Sequence, residues 1–188
     1  QLNASGVTAA GPDVVVLATG GQPLIPEIPG SDGTNVVAAP DVLTGKVMTG
    51  QRVLVAGGGL IGCETALFLD ALGKDVFVVE MTAELAGDQV IVPREALLRK
   101  LDQTRVEYVT SATITEFTED GVIVEREANR EIFIGMDTVV LAMGIAPVND
   151  LARAIRDSES EIHVIGDAEA PCNAMDAIAA GARIGRRI

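Results

Sequence analysis

The chain has no tryptophan, one tyrosine, four phenylalanines and one histidine among its 188 residues. With aromatics at only 3 %, a core has to be built from Val, Ile, Leu and Ala, which suits a parallel sheet covered by helices. A single histidine restricts any Ser-His-Asp proposal, and no such arrangement stands out. Basic residues are scarce: 14 Lys and Arg stand against 27 Asp and Glu, a net charge of −13. That balance argues against a nucleic-acid partner, because a phosphate backbone calls for clustered cations. The two cysteines, Cys63 and Cys172, form neither a C-x-x-C pair nor a zinc-ligand spacing, and a reducing, cytoplasmic setting is the default. No apolar run approaches the roughly 18 residues of a membrane span. The first residues, Gln1-Leu-Asn-Ala-Ser5, lack a basic stretch, so no secretory leader is expected. A start without Met points to an excised piece.

Apolar residues are abundant, at 48 %, and their spacing is informative. Asp13-Val-Val-Val-Leu-Ala-Thr-Gly20 reads as a strand entering a Gly turn, with Val14 to Ala18 continuously apolar as in a strand buried on both faces. Pro23, Pro26 and Pro29 with Gly30 predict an irregular connection between lobes, and Asp41 to Gly45 a helical turn. Arg52 to Ala56 is a second buried strand. A helix from about Leu60 to Leu72 follows, with Ile61, Phe68, Leu69 and Leu72 as its inward stripe and Gly73 as its cap. Asp75 to Glu80 is a third strand. Pro93 opens another helix with Leu97, Leu98 and Leu101 inward, and Val106 to Val109 returns as a strand. This is a β-α-β-α-β order, half of a Rossmann unit. The period then changes to two over Ala112–Thr118, Val122–Arg126 and Glu131–Ile134, joined at Glu119-Asp-Gly121 and around Ala128-Asn-Arg130. Thr138 to Gly144 is a buried strand ending in Gly. A charged stretch, Arg153 to Glu161, separates it from Ile162 to Asp167, and a helix runs from about Ala174 to Ile188. Asp157, Glu159 and Glu161 read as a solvated face, and His163 as a strand residue.

Val53-Leu-Val-Ala-Gly57-Gly58-Gly59-Leu60-Ile61-Gly62 sets G-x-G-x-x-G between a strand and a helix. Gly57 permits the tight turn, Gly59 lets backbone approach a pyrophosphate, and Gly62 allows close packing of helix on strand. The helix N-terminus offers free N–H groups and the positive end of a dipole, each such contact being worth about 0.3–1 kcal/mol. Glu80 ends the next strand, at the usual spacing of about 20 residues from the motif, where a carboxylate accepts from a ribose diol and repels a 2′-phosphate. Met81 and Thr82 follow, not Arg or Lys, so NAD(H) is expected over NADP(H). Cys63, directly after the motif, reads as a small packing residue, although a helix N-terminus lowers a thiol pKa.

Leu17-Ala-Thr19-Gly20, Gly57 to Gly62 followed by Cys63-Glu64, Val140 to Gly144, and His163-Val-Ile-Gly166-Asp167 occur in an order that resembles the pyridine nucleotide-disulfide oxidoreductase superfamily. GQPLIPEIPG, VLVAGGGLIGCETALFLDALGKDVFVVEM and LAMGIAPVNDLA are similar to the C-terminal part of Old Yellow Enzyme-like NADH:flavin oxidoreductases, the group of 2,4-dienoyl-CoA reductase and enoate reductases. The resemblance covers almost the whole chain. It implies an α/β fold, a Rossmann-like three-layer dinucleotide-binding domain with a β-meander, flanked by part of a second, FAD-binding-type domain. Residues 41–145 would form the NAD(H) domain, 1–40 a partial FAD-domain segment and linker, and 146–188 another partial FAD segment. Gly166-Asp167 would match the motif holding the FAD ribityl chain, with Thr19-Gly20 and Gly144 at the two Gly-ended strands. Glu64 would match the acid near the nicotinamide, and the helix from Ala174 would run beside the flavin.

The first G-x-G-x-x-G of that family, an N-terminal barrel with FMN, and the cysteine cluster of a 4Fe–4S centre would all lie before Gln1. The resemblance thus implies a fragment of a larger enzyme that retains FAD weakly or not at all and is inactive when isolated. Its expected role is to pass hydride from NADH to FAD, and onward through the iron–sulfur centre and FMN to an enoate or dienoyl-CoA type alkene. Two other readings stand beside it: a non-catalytic dinucleotide-binding fragment, and another FAD-dependent NADH reductase of the ferredoxin reductase type. A thioredoxin reductase would need a C-x-x-C pair in this stretch, and a lipoamide dehydrogenase would carry its cysteines upstream.

Overall fold

The computed structural model describes residues 2–188; Gln1 of the first flanking segment lies outside them. In chain order the elements are α1 (Ala4–Ala10), β1 (Val14–Leu17), β2 (Gly21–Pro23), β3 (Val36–Ala38), α2 (Ala39–Leu43), β4 (Arg52–Ala56), α3 (Leu60–Ala71) and β5 (Asp75–Val79). They continue with α4 (Ile91–Leu101), β6 (Glu107–Val109), β7 (Thr113–Thr118), β8 (Gly121–Arg126), β9 (Asn129–Ile134) and β10 (Thr138–Leu141). The chain closes with β11 (Ile145–Pro147), α5 (Asp150–Ile155), β12 (Glu161–Val164), a 3₁₀ turn at Gly166–Ala168, and α6 (Ala174–Gly185). Two compact units result: a central one over Pro23–Gly144 and a flanking one built from both ends of the chain.

The central unit has three layers. Its parallel sheet has the order β3-β10-β4-β5-β6. Strand side chains alternate between faces, and here both faces are covered. Val53 and Val55 of β4, Val76 and Val78 of β5 and Val140 of β10 enter one core with Ala66, Leu69, Leu97 and Leu101 of the helices. Leu54, Ala56, Val79, Val139 and Leu141 enter a second core with Ile114, Phe117, Val122 and Val124 of the β7-β8-β9 meander. Burial on both sides is why these strands read as unbroken apolar runs. Segment 23–40 belongs to this unit rather than to the flanking one, because β3 pairs in parallel with β10.

Helix α3 corrects the expected stripe. Phe68 is 37 % and Leu72 58 % exposed, while Gly62, Cys63, Thr65, Ala66 and Leu69 are buried. The helix lies against the sheet through its small residues, which lets its axis come close. Its end does follow the expectation: Gly73, at φ +76°, donates to Asp70 O (2.8 Å) and Lys74 to Leu69 O (3.1 Å), closing a Schellman motif. Pro93 is the third residue of α4, not the first. The second meander turn has two residues, Glu127 and Ala128, both at positive φ although neither is Gly or Asn.

In the flanking unit β1 and β12 pair in parallel, Val14 opposite Glu161 through Leu17 opposite Val164. Val7 of α1, Leu17 and Ile155 of α5 form its core. Val16 is 41 % exposed, so β1 is not buried on both faces as its apolar run suggested; the side chains packed on this pair come from α1 and α5. Helix α5 itself falls in and before the stretch read only as charged. Asn3 caps α1 by accepting from Gly6 N–H at 2.9 Å, and Gly11 ends it in the left-handed region. Among the described residues no helix is long and apolar enough to cross a membrane.

Candidate dinucleotide site

The Gly-rich turn joins β4 to α3 at the carboxyl edge of the parallel sheet. Gly57 (φ +106°) donates to Val79 O at 2.8 Å, which ties the turn to β5, and an added Cβ would lie 2.5 Å from Ala142 O. Gly62 sits beneath, its absent Cβ 1.9 Å from Gly57 O. Gly59 is the N-cap of α3 and has no side chain of its own to offer. The first-turn N–H groups of a helix have no partner within it. The one on Leu60 points to the carboxylate of Asp88, at 3.1 and 3.2 Å from its two oxygens.

Glu80 is 7 % exposed. One carboxylate oxygen accepts from Gly58 N–H at 2.6 Å, the other from the Thr82 N–H and hydroxyl, both at 2.7 Å. These charge-assisted bonds make the acid a strut of the turn. A carboxylate has about four lone-pair sites, so three donors leave capacity for one more.

A cleft of about 470 Å³ opens over the turn. Gly57, Gly59, Leu60, Ile61, Glu80, Met81 and Gly144 of the expected set line it. Gly58 and Gly62 support its floor, Gly58 against Leu85 and Glu80. Glu64 is exposed on α3 and does not line the cleft. Three wall elements lie outside the expected set: Leu24, Pro26 and Ile28 in the stretch read as linker, Ala142 and Met143 after β10, and Asp88. Asp88 arrives because Ala86 N–H bonds Gly58 O at 2.7 Å, a tertiary tether that no local pattern encodes.

Gly20, Gly166 and Asp167 meet in the flanking unit, around a separate hollow of about 390 Å³ with Cys172, Asn173 and Ala174. Gly20 (φ +77°) and Gly166 (φ +63°) both use backbone that side chains rarely adopt. Asp167 Oδ1 accepts from Cys172 N–H at 3.1 Å. Thr19 does not line the hollow; its hydroxyl donates to Val148 O. His163 is a strand residue of β12, as expected, with Nε2 3.0 Å from Glu161 Oε1.

The cysteines differ. Cys63 is fully buried, its thiol 3.3 Å from Gly58 O, and burial pushes its pKa up to about 11. Cys172 is exposed; desolvation and then the neighbouring Asp167 raise its thiol as well. At pH 8 the native protein is expected to alkylate slowly at Cys172, faster as pH rises, and at Cys63 only after unfolding. Peptide mass spectrometry after iodoacetamide checks this, and rapid labelling of native Cys63 would contradict it.

A family model described as pyridine nucleotide-disulphide oxidoreductase matches residues 4–178. The chain belongs to this family. The NADH oxidase of Thermoanaerobacter brockii is 36 % identical over 191 residues, covering 99 % of this chain and 29 % of that protein. The cinnamate reductase of Clostridium sporogenes is 33 % identical over 181 residues, covering 95 % of this chain and 27 % of that protein. The solved structure of 2-naphthoyl-CoA reductase with 2-naphthoyl-CoA matches with a TM-score of 0.92 at 32 % identity, over 100 % of this chain and 29 % of that one. The chain therefore spans less than a third of these relatives' length.

Membership settles the class as an NAD(P)H-dependent flavoprotein oxidoreductase module, and the resemblance to the Old Yellow Enzyme-like reductases holds. NAD(H) and FAD are the cofactors that class implies. The Gly-rich turn fits a dinucleotide on its own geometry: bare backbone at Gly59, a helix N-terminus, and an acid at the end of the neighbouring strand. The second hollow fits a polyol chain, with two side-chain-free backbone positions beside a carboxylate that keeps one oxygen open.

Proposed function

We propose that this chain is the NADH-reading module of a flavin-dependent oxidoreductase. One observation carries the choice of NADH: Glu80, the acid at the end of β5, lines the cleft, and no Lys or Arg does. A 2′-phosphate would enter a field of its own sign. The central unit (23–144) holds the dinucleotide through Gly57 to Gly62, Glu80 and Met81. The flanking unit holds the ribityl part of FAD through Gly166 and Asp167, with Gly20 clearing space beside them. Glu64, outside the cleft wall, is proposed to approach the nicotinamide only by the family resemblance. When bound, NADH supplies a hydride and FAD the ring that accepts it; no residue of the chain has to gain or lose a proton in that transfer. The protein's part is to fix position and exclude water.

In the full-length protein an N-terminal barrel would hold FMN and a 4Fe–4S centre, which would supply the chemistry for reducing an activated alkene. The cinnamate reductase and 2-naphthoyl-CoA reductase similarities support that substrate class. A cytoplasmic setting accords with two cysteines that form no disulfide.

The test is anaerobic titration of the flavin-loaded intact protein. NADH is expected to bleach the oxidised-flavin absorbance stoichiometrically, at concentrations at least tenfold below those needed with NADPH. Dinucleotide binding without bleaching would favour a non-catalytic module, and equal potency of NADPH would refute the assignment of Glu80.

A further inference from the structure

We propose that Asp88 is a built-in phosphate mimic: in the free protein its carboxylate fills the anion position at the head of α3, and a dinucleotide binds by displacing it. The inference rests on the dinucleotide reading of the cleft and adds a competitor to it.

Two placements coincide on this side chain. The Leu60 N–H, which opens α3, donates to both Asp88 oxygens at 3.1 and 3.2 Å. Over Gly59, the three atoms nearest to where a Cβ would stand all belong to the Asp88 carboxyl group, at 3.4, 3.6 and 3.6 Å. Gly59 is the residue whose bare backbone admits a pyrophosphate, so the carboxylate covers the face a phosphate needs. Like a phosphate, it brings acceptor oxygens and negative charge to a helix N-terminus.

The loop after β5 delivers it. Ala86 takes a left-handed backbone (φ +51°), bonds Gly58 O at 2.7 Å, and is followed by a turn in which Gln89 N–H bonds Ala86 O at 3.0 Å. A non-Gly residue at positive φ is strained and persists where its surroundings hold it. The segment is thus fastened to the Gly-rich turn and aims one acid at it. Among the described residues no Lys or Arg pairs with Asp88; the nearby Arg94 takes Glu84 and Leu85 O instead. Nothing but the α3 terminus holds the carboxylate, so it is free to leave for solvent when a stronger anion arrives.

The experiment compares wild type with Asp88→Asn and Asp88→Ala in the intact protein, by calorimetric titration with NADH, ADP and adenosine. Asn keeps the side-chain length and one acceptor, so it serves where Ala perturbs the loop. Both variants are expected to bind NADH and ADP about five-fold more tightly, with the gain shrinking as salt rises and adenosine affinity unchanged. If wild type binds NADH while both variants bind it equally or more weakly, Asp88 is no competitor, and the dinucleotide reading survives. An equal gain for adenosine also overturns the proposal, because the effect is then not on the phosphates. If wild type binds neither NADH nor ADP, the dinucleotide reading itself fails and this inference with it.

Discussion

Gly62→Ala is expected to weaken NADH binding more than tenfold and to lower stability by about 3 kcal/mol. The added Cβ would stand 1.9 Å from Gly57 O and 2.8 Å from Gly57 C. Both are backbone atoms of the turn, so no side chain can rotate away to make room. An ordinary contact begins near 3.4 Å, so helix and turn must separate by roughly 1.5 Å. That moves the whole N-terminus of α3, together with the N–H groups that would face the pyrophosphate. Gly181→Ala in α6 is the matched control, because nothing lies within 4 Å of its added Cβ. It is expected to leave binding alone and to raise stability by up to about 1 kcal/mol through helix propensity. Urea melts and NADH titrations of the two variants decide the matter; a Gly62→Ala protein as stable as wild type would show the packing argument to be mistaken.

Glu80→Ala is expected to act twice. It removes the acceptor for three donors, at 2.6, 2.7 and 2.7 Å, and leaves the Gly58 N–H without a partner beneath the turn. Stranding a buried donor and losing charge-assisted bonds costs about 2–4 kcal/mol together, read as a lower urea midpoint. Separately, loss of the negative charge narrows the preference for NADH over NADPH. Glu80→Gln separates the effects: it keeps the shape, but its amide end faces an N–H donor on one side, so it is expected to fall between wild type and Ala in stability. A variant that loses selectivity with no loss of stability would mean that the turn does not depend on this acid.

Legibility in the sequence tracked burial and locality. The β4–turn–α3 unit was readable because a strand covered on both faces admits only apolar residues and the glycines answer to sterics within a few residues. The cap at Gly73 was readable for the same local reason. The stripe of α3 is legible only in Leu69, because side-chain size is a poor guide where a helix must approach closely: small Cys63 and Ala66 turn inward beside Leu69, and large Phe68 and Leu72 remain at the surface. The boundary near residue 41 was late because β3 is three residues long and announces itself only by pairing with β10, about a hundred positions on. Glu80 was legible as an acid at a strand end, but not as a strut, since its partners are backbone amides that every residue carries. Asp88 was invisible because a tertiary tether, not a spacing, brings it to Leu60.

The seam of the central unit bears on the order of folding. Leu24 N–H bonds Gly144 O at 3.0 Å, so the two ends of that unit leave side by side. Val14 and Glu161, paired in the flanking sheet, stand about 150 positions apart, and closing so long a loop in an unfolded chain is entropically unfavourable. Once the centre has folded, the free loop shrinks to the short arms on either side of the seam, which removes about 1.5 kcal/mol of closure entropy. The centre is therefore expected to form first and to act as a clasp that hands the two arms to each other.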